Sequence, residues 1–123
     1  MLGFNQKFIS SSGSGAGSIG STKIIAVTKI TADMVLSAIP VGYVLIALII
    51  NNNGIAGTDI AVESGAGLAD ILPNETIQNA SYNPYSVYFM KSISFAAYNM
   101  AVRGLKPWAN VSLDVYIIIQ RII

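Results

Sequence analysis

Residues Val41–Asn53 read VGYVLIALIINNN. Only Gly42 and Tyr43 interrupt the aliphatic run from Val41 to Ile50, and it carries no charge. Pro40 stands before it and Asn51-Asn52-Asn53-Gly54 after it. The run is far shorter than the roughly 20 apolar residues that cross a bilayer, so no membrane span is expected. Its β-branched content and its turn residues at both ends predict a strand rather than a buried helix. Regular alternation puts Tyr43, Leu45, Ala47 and Ile49 on one face and Val44, Ile46, Leu48 and Ile50 on the other. Both faces are apolar, and a small sheet protein has only one core. The second face therefore asks for cover, either from another layer of the same chain or from a neighbouring copy.

The last stretch, Trp108–Ile123, has the clearest period-two pattern in the chain. Val111, Leu113, Val115, Ile117 and Ile119 fall on one face, with Ser112, Asp114, Tyr116, Ile118 and Gln120 on the other. Packed beside the central strand, it would supply the second half of the core. Strands are also expected over Thr22–Thr31, Met34–Ala38 and Thr58–Val62, with a bend near Thr31-Ala32-Asp33. Further strands are expected within Tyr82–Arg103, from the alternation of Val87, Phe89, Lys91 and Ile93 and from the apolar segment Phe95–Val102. Between Gly54 and Asn83 the chain is rich in loops. Pro73-Asn74 reads as a turn, and Glu75–Ala80 suits one helical turn or extended chain equally. Several short strands with Gly, Pro and Asn punctuation indicate an all-β fold, an antiparallel β-sandwich of the jelly-roll kind.

The first 22 residues differ from the rest. Ser10–Ser21, SSSGSGAGSIGS, has the composition of a flexible tether. Ahead of it stand Leu2, Phe4, Phe8 and Ile9, apolar residues at irregular spacing. A sticky tip on a tether is expected to be an attachment arm (residues 1–22), leaving residues 23–123 as the sandwich domain.

Composition narrows function. The chain has 123 residues, 11% charged and 53% hydrophobic, with a net charge of +1. One core suits that length, and the shortage of charge implies surface buried in an assembly. No basic block follows a phosphate backbone, so nucleic acid is not an expected partner. The chain contains neither cysteine nor histidine. Cysteine metal sites, thiol nucleophiles and Ser-His-Asp triads are thereby excluded. Asp59, Glu63, Asp70 and Glu75 could in principle serve glycoside hydrolysis or hold calcium, but their spacing matches no such motif and they read as solvated loop acids. No cofactor and no enzymatic activity are expected. Tyr82, Tyr85 and Trp108 are candidates for stacking on sugars, although strand aromatics more often serve core and interface. Trp108 is expected to cap one end of the core, with Arg103 and Lys106 placed to stack on its ring.

Two segments carry a resemblance. Ile39–Asn53, IPVGYVLIALIINNN, resembles a pattern recurring in small tailed-phage virion proteins, in which a Pro-x-Gly/Asn-Tyr turn leads into a strand ending in Asn. Trp108–Ile122, WANVSLDVYIIIQRI, resembles that pattern's closing strand. Asn51-Asn52-Asn53-Gly54 and a lone Gly57 stand where the pattern has Asn-Thr-Thr and Gly-Gly. The likeness to head-fibre and capsid-decoration proteins implies a β-sandwich, commonly trimeric, fixed by an N-terminal segment to a major capsid or other virion protein. It implies a virion location, with assembly in the bacterial host cytoplasm. In such an oligomer Tyr43, Leu45, Ile46, Leu48, Ile50, Trp108, Val115 and Ile117 are expected to serve core or subunit interface. A carbohydrate- or receptor-binding module of a fibre or tail is the alternative.

Overall fold

The computed structural model describes residues 18–65, 70–79, 81, 85–89 and 97–123. Among them are eight strands: β1 (Thr22–Ile30), β2 (Met34–Ile39), β3 (Tyr43–Asn52), β4 (Thr58–Glu63), β5 (Leu72–Ile77), β6 (Tyr85–Phe89), β7 (Tyr98–Gly104) and β8 (Leu113–Arg121). They form two four-stranded sheets, β1-β8-β3-β6 and β2-β7-β4-β5. All pairings are antiparallel. The pairing is nested: β4 with β5, β3 with β6, β2 with β7, β1 with β8. A β-ribbon rolled on itself until β8 also meets β3 and β7 meets β4 has this order, and it is a jelly roll.

The core lies between the sheets. Leu113, Val115, Ile117 and Ile119 of β8 face Met100 and Val102 of β7, Ile60 and Val62 of β4, and Leu36 and Ile39 of β2 within one cluster. Each such side chain, taken from water, contributes about 1.5–3 kcal/mol of transfer free energy. The inward row read from the last stretch, Val111 to Ile119, is buried throughout.

The central strand departs from regular alternation. Leu45 pairs with Ile119 and Ala47 with Ile118, so Ile46 has no partner on β8. This bulge inverts the side-chain parity. Tyr43 and Leu45 point inward before it, Leu48 and Ile50 after it. The expected grouping of Leu45 with Ala47, and of Ile46 with Leu48, is thereby corrected. Val44, Ile46, Ala47 and Ile49 lie outward.

Other boundaries moved for similar reasons. Pro73-Asn74, expected as a turn, lies within β5. Between the pairs Ile60–Glu75 and Val62–Leu72, β5 has one residue more than β4. An edge strand tolerates Pro at such a bulge because no second neighbour needs its missing N–H. β8 begins only at Leu113, because Trp108–Ser112 makes a turn. Asn110 there has φ 61° and Val111 N–H bonds the Trp108 carbonyl at 3.0 Å. The arm's Leu2, Phe4, Phe8 and Ile9 lie outside the described residues, as do Lys91, Ile93 and Phe95.

Candidate assembly surface

The sandwich has two outer faces, and they differ in chemistry. On β2-β7-β4-β5 two ion pairs stand among the outward residues, beside the apolar Val35, Ala61 and Ala101. Arg103 Nε meets Glu63 Oε2 at 3.2 Å, and Lys106 Nζ meets Asp59 Oδ2 at 3.3 Å. Thr76 Oγ1 donates to Asp59 Oδ1 at 2.8 Å. The Thr76 hydroxyl, and with it Lys106, holds the Asp59 carboxyl below its ordinary range. Two expectations are corrected here. Asp59 and Glu63 are strand residues with partners, Glu63 being buried, rather than solvated loop acids. Arg103 and Lys106 engage these carboxylates. The cation over a ring, among the described residues, is Lys23, 5.9 Å from the Tyr43 centroid.

On β1-β8-β3-β6 the outward residues of the two middle rows are apolar. Directly opposite residues of antiparallel strands share a face, so the register places Ile24, Ile118 and Ala47 in one row across β1, β8 and β3. The next row runs Ala26, Tyr116, Ile49 and Val87 across all four strands. Ile24 is 55% exposed and Val87 51%, while Ile46, Ile49, Tyr116 and Ile118 are half-buried. The third row holds Asp114, Asn51 and Tyr85. Asp114 accepts Lys29 N–H at Oδ1 (3.0 Å) and Asn53 Nδ2 at Oδ2 (2.7 Å).

The anticipated site residues divide accordingly. Tyr43, Leu45, Leu48, Ile50, Val115 and Ile117 are core of this chain, and Ile46 stands on the outer face at the bulge. Tyr85 is 60% exposed on that face, at edge strand β6. Tyr82 lies outside the described residues. Trp108 packs half-buried against the core. Its Nε1 donates to Asp33 Oδ1 at 2.7 Å, beside Gly104 N–H at 2.8 Å. Those two donors, the Gly104 amide first, hold the Asp33 carboxyl below its ordinary range. Tyr85 thus offers an open ring and Trp108 a fixed one. Ile24, Ile49 and Val87 were not anticipated as surface residues. Ile118 was legible, being an isoleucine on the polar face of the final strand.

An open groove of about 570 Å³ lies between β1 and the β2-β7 pair, lined by Lys23, Ile25, Ile39, Pro40, Tyr98 and Asn99 among others. Burial, and then the charge of Asp70, pushes the Tyr98 hydroxyl pKa up. No group of three or more acidic residues placed to hold a metal ion occurs among the described residues.

No protein-family model matches the sequence, and no curated protein matches it. Solved structures do. A chain of the cyanophage Pam1 capsid asymmetric unit superposes with a TM-score of 0.59 at 14% identity, covering 98% of this chain and 99% of that one. A chain of the acidic stable capsid structure of Helicobacter pylori bacteriophage KHP30 superposes with a TM-score of 0.56 at 14% identity, covering 84% and 88%. The likeness is one of fold.

Proposed function

We propose that this chain is a structural, non-enzymatic protein of a phage virion, of the capsid-decoration or head-fibre type. The observation that carries the reading is the match of fold over 98% of this chain and 99% of a chain from a phage capsid. The apolar outer sheet supports it, because a face of that kind belongs in an assembly. The jelly-roll body is the exposed module, and the segment containing Leu2, Phe4, Phe8 and Ile9 is its anchor to the major capsid or another virion protein. The body is a homo-oligomer, a trimer in the form the resemblance favours. Several tethered anchors on one oligomer raise the effective concentration at the particle surface, so each anchor needs only modest affinity.

The test is occupancy on purified particles of the phage that encodes the chain. Intact protein is expected to bind particles stripped of it. A form lacking residues 1–17 is expected to stay folded, since it keeps the Gly20 N–H bond to the Arg121 carbonyl (2.7 Å), and to lose binding. Absence of the intact protein from particles would overturn the virion reading. Undiminished occupancy by the shortened form would overturn the anchor.

A further inference from the structure

The outer face of β1-β8-β3-β6 is apolar over two rows, and its carboxylate stands at the margin. Asp114, at its margin, has both carboxylate oxygens occupied within the chain. Gln120, at the opposite margin, donates its amide to the Gly20 carbonyl at 3.0 Å. Such a face offers nothing to a phosphate backbone or a charged peptide. Its complement is another uncharged apolar surface. The second outer face of the sandwich is a poorer one, because Glu63, Arg103, Asp59 and Lys106 interrupt its apolar Val35, Ala61 and Ala101. The same sheet on another copy is the better one. Contacts between identical chains are also the most apolar class of interface, with charged residues depleted from their centres.

We propose that copies of this chain meet through the outer face of the β1-β8-β3-β6 sheet, with Ile24, Ile49, Val87, Tyr116 and Ile118 at the contact. The proposal deepens the assembled state described above and rests on it for the occupant. The apolar rows themselves stand without it. Ile24 on β1 and Val87 on β6 mark the two edges of the patch, and Ile118 its middle.

The test is the mass of the full chain in solution at tens of micromolar. The wild type is expected at a small multiple of 13.0 kDa. Ile24→Lys and Val87→Lys alter exposed side chains and are expected to give 13.0 kDa species with unchanged β-sheet circular dichroism. Asn99→Lys, on the other outer face, is expected to keep the wild-type mass. Because the chain lacks cysteine, Ile118→Cys adds an independent readout. Mild oxidation is expected to cross-link copies through position 118, and an Asn99→Cys control is expected not to. A wild type of 13.0 kDa, or lysine variants that keep the oligomer, would overturn the proposal. Particle occupancy separates the two readings. A monomer that still decorates particles removes this interface and leaves the virion role. An oligomer dispersed by Ile24→Lys that never binds particles does the reverse.

Discussion

Leu45 and Leu48, three positions apart on one strand, point into the same core. Strict alternation would send them to opposite sides of the sheet. The unpaired Ile46 between them restores the phase, so that Leu45 sits opposite Ile119 and Leu48 opposite Ile117. Removing Ile46 leaves Leu45, Ala47 and Leu48 facing Ile119, Ile118 and Ile117 in unbroken register. A deletion of Ile46 is therefore expected to fold, at a cost of about 1 kcal/mol for the lost half-buried side chain. Deletion of Leu48 shifts one flank of the strand by a residue and is expected to abolish folding. Thermal unfolding followed by circular dichroism distinguishes the two. Equal damage from both deletions would contradict the bulge.

Asn52 is fully buried and ties the loop after β3 to itself and to the segment after β5. Its Nδ2 donates to the carbonyls of Ala56 (2.9 Å) and Gln78 (3.0 Å), while Oδ1 accepts Gly54 N–H at 2.8 Å. The loop itself lies close against the β7–β8 connection. A Cβ on Gly54 would sit 2.8 Å from Val111 Cα. Asn52→Leu keeps the volume and removes every one of these bonds. It is expected to destabilise the protein by about 2–4 kcal/mol, lowering Tm by about 10 °C or more. A change under about 2 °C would show that water replaces the amide without loss.

Lys29 adopts φ 57° inside β1, where two residues, Thr28 and Lys29, span the gap between the pairs Val27–Val115 and Ile30–Leu113. Asp114 holds this bulge through the Lys29 N–H. The left-handed conformation costs a lysine on the order of 1 kcal/mol and costs glycine almost nothing, whereas glycine gives more entropy to the unfolded chain. Lys29→Gly is therefore expected to be neutral or slightly stabilising, and Lys29→Val destabilising by more than 1 kcal/mol. Chemical denaturation midpoints measure both. A Gly variant less stable than the Val variant would refute the strained geometry.

Asp33 ties Gly104 and the indole of Trp108 to the start of β2. Its pKa is lower folded than unfolded. Its contribution is therefore present above the unfolded value, near 4, and is lost as pH falls through the folded value below that. The site is exposed, so the effect is modest. Asp33→Asn is expected to cost about 1 kcal/mol at neutral pH and to flatten the acid limb of stability below about pH 4. Trp108, the chain's single tryptophan, reports the change by fluorescence. An acid-induced fluorescence step that persists unaltered in the Asn variant would assign it to another group, with Asp70 the next candidate. Burial pushes the Asp70 carboxyl up, and the Ser64 hydroxyl and N–H outweigh that and hold it low.

Local pattern made much of this architecture legible. The alternation of Val111 to Ile119 named the inward row of β8, and the aliphatic run ending in three asparagines named the central strand. The lack of cysteine and histidine excluded whole classes of chemistry. The strand from Leu72 was missed because proline and asparagine in its first half read as a turn. Only the edge position of β5 makes them acceptable there.

Period and composition by themselves determined that the chain is built of strands, that one face of its last strand is core, and that its aliphatic surface exceeds what one small core hides. Tertiary structure alone decided the nested pairing of β1 with β8 through β4 with β5, the bulges at Ile46 and Lys29, and the sheet on which the surplus isoleucines emerge. The reason is physical. Side-chain direction along a strand follows from neighbouring residues, whereas partner choice and the one-residue slip that inverts parity are set by hydrogen bonds to strands tens of residues away.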